Sequence, residues 1–280
     1  MKNTRLLAIA DLWAFLIHLA FSYLTQINMI NDISVADVSH RFPSLFAPAD
    51  ITFAIWGVIY FLLLVLCIYH VFAAFKYPQP HPTNQHTHKM STLFIFCNLA
   101  TAAWLYAWTH AWLGTALALI IFQLLLLVSI NGRLHIYNRS ASTASKIFTQ
   151  LPLSIWFGWI TVAAIANTDI YLLAIHWGRE GLSPERWTSI LVAATIFIGL
   201  CVVFVRRNIF YGCVIIWALC GIILRQTATG EPAYKDIVTA AETGVIILAI
   251  ACIFQLARNF SFRKHHRAIT RSPGAAYPPA

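Results

Sequence analysis

The sequence predicts an all-α, polytopic membrane helix bundle. Three observations carry that prediction. Hydrophobic residues fill 59% of the 280 positions and charged residues only 10%, with a mean hydropathy of +0.70, whereas a soluble domain carries about 25% charged residues. Apolar runs long enough to cross a hydrocarbon core of ~30 Å recur along the chain. Basic residues collect in every second connection, as in a chain whose orientation is set by charge.

Eight such runs fall at 6–28, 51–73, 90–110, 112–131, 148–175, 187–205, 208–224 and 237–257. The first follows Lys2 and Arg5, but it exceeds the apolar stretch of a signal peptide, contains Asp11 and His18 and lacks a small-residue cleavage site. It reads as a retained helix. Met29 to Asp50, joining the first two runs, is long enough to fold over the bundle, and its FPSLFAPAD portion offers two prolines and large apolar anchors. That composition suits either a lid or a plain connection. The segment YPQPHPTNQHTHK before the third run is proline-rich and expected to be flexible. Ser183, Pro184 and Glu185 place an N-cap and a first-turn proline ahead of Trp187, and Glu231 with Pro232 repeats the signal before the eighth run. The final RSPGAAYPPA is expected to be disordered.

Charge fixes an expected orientation. Of the 19 Lys and Arg residues, 14 lie in the N-terminus, in the connections holding Lys76 and Lys89, Arg133, Arg139 and Lys146, and Arg206 and Arg207, or in the tail from Arg258 to Arg271. The alternate connections hold Arg41, Arg179, Arg186, Arg225 and Lys235 together with most of the acidic residues. Both termini are therefore expected in the cytoplasm. The formal net charge of +9 sits in short caps between apolar runs, so nucleic acid is not an expected partner. The basic tail is better suited to anionic lipid. All six cysteines lie inside apolar runs without CxxC spacing and read as buried thiols.

The stretch Leu151 to Asn167, LPLSIWFGWITVAAIAN, carries the strongest hint of a site. On a helix Trp156, Ala163 and Asn167 share one line with Trp159 beside them, and an amide in hydrocarbon needs partners. Trp56 and Tyr60 stand one helical turn apart in the second run, and Thr101, Trp104 and Trp108 form a stripe in the third. Three runs thus present aromatic faces, which suits a flat, largely apolar ligand held by stacking. Trp108, Trp112, Trp177 and Trp187, near the run ends, also fit an interfacial aromatic belt.

Asp11, His18 and Ser22 make a polar stripe on the first run, readable as a proton-linked site or as hydrogen-bonding glue, with Asp11 near enough to the helix end to be hydrated. Glu242 is within expected reach of Arg225. His81, His86 and His88 lack a neighbouring Cys or carboxylate, so no metal site is expected. Leu134, Tyr137 and Arg139 match a loose cholesterol-contact pattern. No GxSxG, HExxH, P-loop or paired-carboxylate arrangement occurs, which leaves no residue to assign as acid, base or nucleophile and the question of enzymatic activity open.

FAPADITFAIWGVIY, then TAAWLYAW, then LPLSIWFGWITVAAIAN resembles the tryptophan-rich sensory protein family, relatives of the translocator protein or peripheral-type benzodiazepine receptor. The resemblance covers about Arg5 to Ile175, with a WxxxY motif at Trp56 and Tyr60 and a PxxxW motif at Pro152 and Trp156. Thr101 stands where the family commonly has Asn, Leu153 where it has Tyr, and Asn167 a turn later than the family's Asn. The continuation through WTSILVAATIF and YGCVIIWALCGI looks like the family's eight-helix bacterial branch. The resemblance implies a five-helix bundle around a pocket for porphyrins or sterol-like or drug-like molecules, with a role in sensing, transport or tetrapyrrole handling.

The expected organisation is a five-helix core over 1–178, three additional helices over 179–257 and a cytoplasmic tail over 258–280. The expected function is ligand binding in a bacterial inner membrane, with Trp56, Tyr60, Thr101, Trp104, Trp108, Trp156, Trp159 and Asn167 lining the pocket. A tetrapyrrole is the candidate ligand, and no cofactor is required. The lipid bilayer and an apolar small molecule are the expected partners, with a homodimer as the candidate assembly. The alternative is a proton-coupled secondary transporter using Asp11, His18 and Glu242. A further reading is an enzyme that degrades a bound tetrapyrrole in light.

Overall fold

A computed structural model describes residues 2–78, 80–136 and 141–270, with the backbone alone at residue 2 and over 260–270. The tail expected to be disordered, and Tyr137 and Arg139 of the cholesterol-contact pattern, lie outside the described residues. All regular structure among the described residues is helical. Eight stretches are long and apolar enough to cross a membrane, and the chain is a multi-pass membrane protein.

In chain order the elements are α1 (Lys2–Gln26), α2 (Val35–Arg41), α3 (Ile55–Lys76, entered through a 3-10 turn at Asp50–Ala54), α4 (Pro82–Thr109) and α5 (Leu113–Arg133). A single turn, α6 (Thr143–Ser145), then runs through the π-helical Lys146–Gln150 into α7 (Leu151–Ala174). The last three are α8 (Pro184–Val205), α9 (Ile209–Thr229) and α10 (Lys235–Thr270). The π turn sits where Pro152 interrupts the donor ladder, and Leu151 N–H reaches back five residues to Lys146 O. A proline in the first turn of α7 removes an i→i−4 donor, and a wider turn absorbs the mismatch.

The segment expected to be flexible after α3 is instead largely helical. Pro82 occupies the first turn of α4 and the His81 ring accepts from Thr83 N–H, so the proline starts the helix. His88 bonds Thr4 on α1 at 2.7 Å. Among the described residues no cluster of His, Cys, Asp or Glu could hold a metal ion.

Helices α4 and α7 are the most buried spans. Helix α4 packs broadly on α1 and α5, and α7 packs on α5, α3 and α9. Helices α8, α9 and α10 pack on one another and meet the preceding spans chiefly through α9 on α7. Small residues permit this closeness, as in membrane bundles generally. A Cβ at Gly212 of α9 would lie 2.5 Å from Cys252 Sγ on α10 and 2.7 Å from Val203 Cγ2 on α8.

The buried face of α4 is polar through much of its length. Ser91 Oγ donates to Asp11 Oδ1 at 2.7 Å, His18 Nδ1 meets Asn98 Oδ1 at 3.0 Å, and Thr87 with Thr149 brackets the His70 ring, each at 2.9 Å. Asp11 is fully buried rather than hydrated at the helix end. Such bonds satisfy groups that hydrocarbon cannot, and they bind α1, α3 and α4 together.

Candidate functional site

Two adjacent cavities open at the end of the bundle where α1 leaves and α3 begins. The larger, about 500 Å³, lies between α1, α3 and α4, with Ser22, Gln26, Tyr60 and Thr101 among its polar lining residues. The smaller, about 60 Å³, runs toward α7 and is lined by Trp108, Trp159, Ala163 and Asn167. Val35, Phe53, Trp56 and Trp104 line both. The volumes fall in the range of small-molecule sites taken together.

Helical spacing explains how these rings converge. Trp56 and Tyr60, one turn apart on α3, stack at 5.4 Å between centroids, and Trp104 and Trp108 do the same on α4 at 5.4 Å. Trp159 turns its edge to Trp56 at 6.4 Å and to Phe53 at 5.9 Å. Hydrogen bonds lock the orientation: Trp104 Nε1 donates to Asn167 Oδ1 at 3.0 Å, Asn167 Nδ2 to Ala163 O at 2.8 Å, and Trp108 Nε1 to Val35 O at 3.0 Å. Gln123 Nε2 donates to Thr101 Oγ1 at 2.6 Å, and Tyr60 donates its hydroxyl proton to Ser22 Oγ at 2.8 Å.

Seven of the eight residues expected at a ligand site line one or both cavities: Trp56, Tyr60, Thr101, Trp104, Trp108, Trp159 and Asn167. Trp156 lines neither. It is fully buried beneath them, stacked on His18 at 6.2 Å and edge-on to Phe94 at 5.9 Å. Trp108, which also suited an interfacial belt, is 3% exposed. Asp11 and His18 lie in the interior of α1, but Glu242 is exposed on α10, so the three groups of the proton-linked reading do not meet. The expected Glu242 to Arg225 pair is absent, because the Arg225 guanidinium donates to Ala47 O at 3.3 Å.

That last bond belongs to a set which sequence reasoning did not anticipate. The connection from residue 29 to 54 covers both cavities. Its first half contains α2, closed by a capping box in which Ser34 Oγ accepts from Asp37 N–H at 3.2 Å while Asp37 Oδ2 accepts from Ser34 N–H at 2.8 Å. Hydrogen bonds from the Ser34 hydroxyl and backbone hold the Asp37 carboxyl below the usual carboxylate range. The second half is a strap held by α7 and α9. Ser44 Oγ donates to Asp169 Oδ2 at 2.6 Å, and Asp169 Oδ1 also accepts Trp187 Nε1 at 2.7 Å. Gln226 Nε2 donates to Leu45 O at 2.6 Å, Ala49 N–H to Gly221 O at 3.0 Å, and Trp217 Nε1 to Thr52 O at 2.9 Å.

Position 221 admits only glycine at this distance. A Cβ there would meet the Thr52 hydroxyl and would lie 2.7 Å from Thr52 Cγ2 and 2.9 Å from Pro48 Cβ. Pro48 and Ala47 in turn wall the smaller cavity. The C-terminal helices thus hold in place part of the roof of a site built from the first five spans.

A family model described as TSPO-like protein matches residues 8–254, taking in the three C-terminal helices as well as the first five spans. Neither a curated protein nor a solved structure matches the chain.

Proposed function

The chain belongs to the TSPO-like protein family, and from that premise we propose that it is a ligand-binding or sensory protein that holds a flat, apolar, porphyrin-like molecule in the joined cavities. The observation that carries the reading is that Trp56 and Trp104 stand between the two cavities and line both. A planar guest would lie against these indoles by stacking and burial, with Asn167, Thr101 and Tyr60 as polar handles. Among the described residues neither cavity is lined by Lys, Arg or His, and Asp50 is the single acidic residue along them. A porphyrin's carboxylates would therefore face the open mouth, because a buried charge needs a partner.

The proposal extends to placement. The resemblance to the family's eight-helix bacterial branch supports a bacterial inner membrane, and the segregation of basic residues supports both termini in the cytoplasm with the strap on the far side. It also keeps the organisation into a core over 1–178, further helices over 179–257 and a tail over 258–280. A tetrapyrrole is the proposed ligand and a homodimer the proposed assembly. The transporter alternative has no arrangement in its favour beyond the buried Asp11 and His18.

Titration of the purified protein with protoporphyrin is expected to quench tryptophan fluorescence saturably. Trp56→Ala combined with Trp104→Ala should weaken the apparent affinity by roughly five- to 150-fold, as loss of two stacking partners at about 0.5–1.5 kcal/mol each implies. Trp156→Ala, outside the cavities, should leave the affinity much closer to wild type. Equal binding by the double variant would remove this site from consideration.

A further inference from the structure

A third opening lies at the opposite end of the bundle, and no step of the ligand-binding reading uses it. It occupies about 320 Å³ in the seam where α5 and α8 pass each other above α7. Helices α5 and α8 make little direct contact, and α7 touches α8 only narrowly, so the gap separates the first five spans from the last three. Leu124 and Val128 of α5 form one wall, Ile198 and Val202 of α8 the other, and Phe157 of α7 contributes to the floor.

The walls have a direction. Val202 and Ile198 stand one and two turns from Arg206, and Val128 and Leu124 one and two turns from Asn131, so each apolar wall ends in a polar group. Asn131 is in the last turn of α5 and Arg206 caps α8, which puts the polar end of the groove at the helix termini. Arg206 is exposed; its backbone N–H donates to Val202 O, but its guanidinium makes no hydrogen bond or ion pair among the described residues. Among the described residues no acidic side chain lines the groove. The acidic residues gather at the other end of the bundle, with buried Asp11 and exposed Glu242 as the exceptions. Tyr211, also along the floor, is fully buried with a hydroxyl that lacks a hydrogen bond of normal geometry.

We infer that the seam between α5 and α8 binds an anionic phospholipid, one acyl chain lying between Val128 and Val202 and the phosphate on Arg206. The apolar trough faces the hydrocarbon of one leaflet, where an acyl chain is the available filler. A guanidinium at the level of the headgroups recognises a phosphate through paired N–H donors. No carboxylate among the described residues pairs with the Arg206 guanidinium, so an anion from the membrane completes the charge. Bound there, the lipid fills a seam that protein side chains leave open and ties the two sets of helices together.

Native mass spectrometry of the full-length protein released from nanodiscs tests this directly. In discs holding equal phosphatidylglycerol and phosphatidylcholine, the wild type should retain one phosphatidylglycerol adduct in preference to phosphatidylcholine. Arg206→Gln should reduce that preference roughly tenfold, the loss expected for a charge-assisted hydrogen bond. Val128→Trp, which fills the trough and leaves Arg206 in place, should reduce total adducts; Ile198→Trp does the same from the other wall if that variant folds poorly. Arg133→Gln, a basic residue at the same end that does not line the groove, should leave the preference intact. Equal retention of the two lipids by the wild type would overturn the inference. So would an unchanged preference in Arg206→Gln, or an equal loss in Arg133→Gln, which would mean diffuse attraction to a basic surface.

Discussion

The two halves of the connection between α1 and α3 cover the same cavities but are attached by different means. Residues 44–54 form a strap whose polar groups reach elements far away in the chain, as in the bond from Gln226 to Leu45 O across 181 positions. Residues 29–43 contain the small helix α2, whose capping bonds are local; this half is tied outward by Trp108 Nε1 to Val35 O, Asn31 Nδ2 to Thr109 O and the buried Val38, and meets the strap through an exposed contact of His40 with Asp50 at 3.2 Å. Ser44, Phe46 and Ala47 are at most 3% exposed, whereas much of α2 lies at the surface. The difference teaches that the roof has a fixed part and a releasable part. Opening past α2 breaks a few bonds, while opening past the strap requires α9 to give up its contacts along several turns.

The comparison is broken most severely at Gly221. Gly221→Val forces a side chain into Thr52 and Pro48, and overpacking of a close contact costs about 1–3 kcal/mol. A lower unfolding temperature together with weaker protoporphyrin binding is expected in a scanning unfolding and quenching experiment. An unchanged unfolding temperature would mean that the strap already moves freely on α9.

Asp169→Ala comes next. The carboxylate is 3% exposed and accepts both Ser44 Oγ and Trp187 Nε1. Its removal leaves two donors unmatched, and an unsatisfied buried group costs about 1–3 kcal/mol. A double-mutant cycle with Ser44→Ala separates the strap bond from the bond to α8, and the two substitutions should be clearly non-additive. Additive losses would show that Ser44 gains nothing from Asp169.

Gln226→Leu should cost less, about 1 kcal/mol, because one hydrogen bond to Leu45 O is lost while the shape is largely kept. Hydrogen exchange gives the sharper readout. Faster exchange confined to 44–54, with α2 unchanged, is the expected pattern, and uniform acceleration over 29–54 would show that the two halves open as one.

The sequence discloses some of this arrangement and not the rest, for reasons that lie in particular residues. The spans are legible because a helix must satisfy its own backbone in lipid, so each leaves a run of about 20 apolar residues. The pairs Trp56 with Tyr60 and Trp104 with Trp108 are legible because residues four apart share a face. Trp156 and Trp159 defeat the same reasoning. They sit about 60° apart around the helix, and periodicity cannot choose which ring enters the cavity and which stacks on His18. The pairing of Arg225 with Glu242 also fails, because the guanidinium turns to a carbonyl in a loop 178 positions away. The start of α4 was within reach: Pro82 at the first turn is a helix-start signal that the neighbouring prolines obscure.

The smallest effects belong to α2, and they carry a sign that tests its independence. Ser34→Ala removes the cap, a change worth about 1 kcal/mol at a helix N-terminus, and should speed amide exchange in Val35–Arg41 without touching the strap. Acid does the same reversibly. The Asp37 carboxyl titrates below its ordinary value of 3.8 because it accepts from Ser34. A carboxyl whose folded value is depressed stabilises the folded form above the ordinary value, and that contribution fades as pH falls through the lowered one. Lowering the pH below 3.8 should therefore loosen α2 in the wild type and have less effect in Asp37→Asn, whose amide does not titrate over that range. The bonds from the strap to α9 run through carbonyls, amides and an indole, so they should persist over the same range, whereas its carboxylate contacts are Ser44 with Asp169 on α7 and Asp50 with His40 on α2. Loosening of 44–54 in step with α2 would mean that the capping box and the strap form one cooperative unit, and the distinction between a fixed and a releasable half would fail.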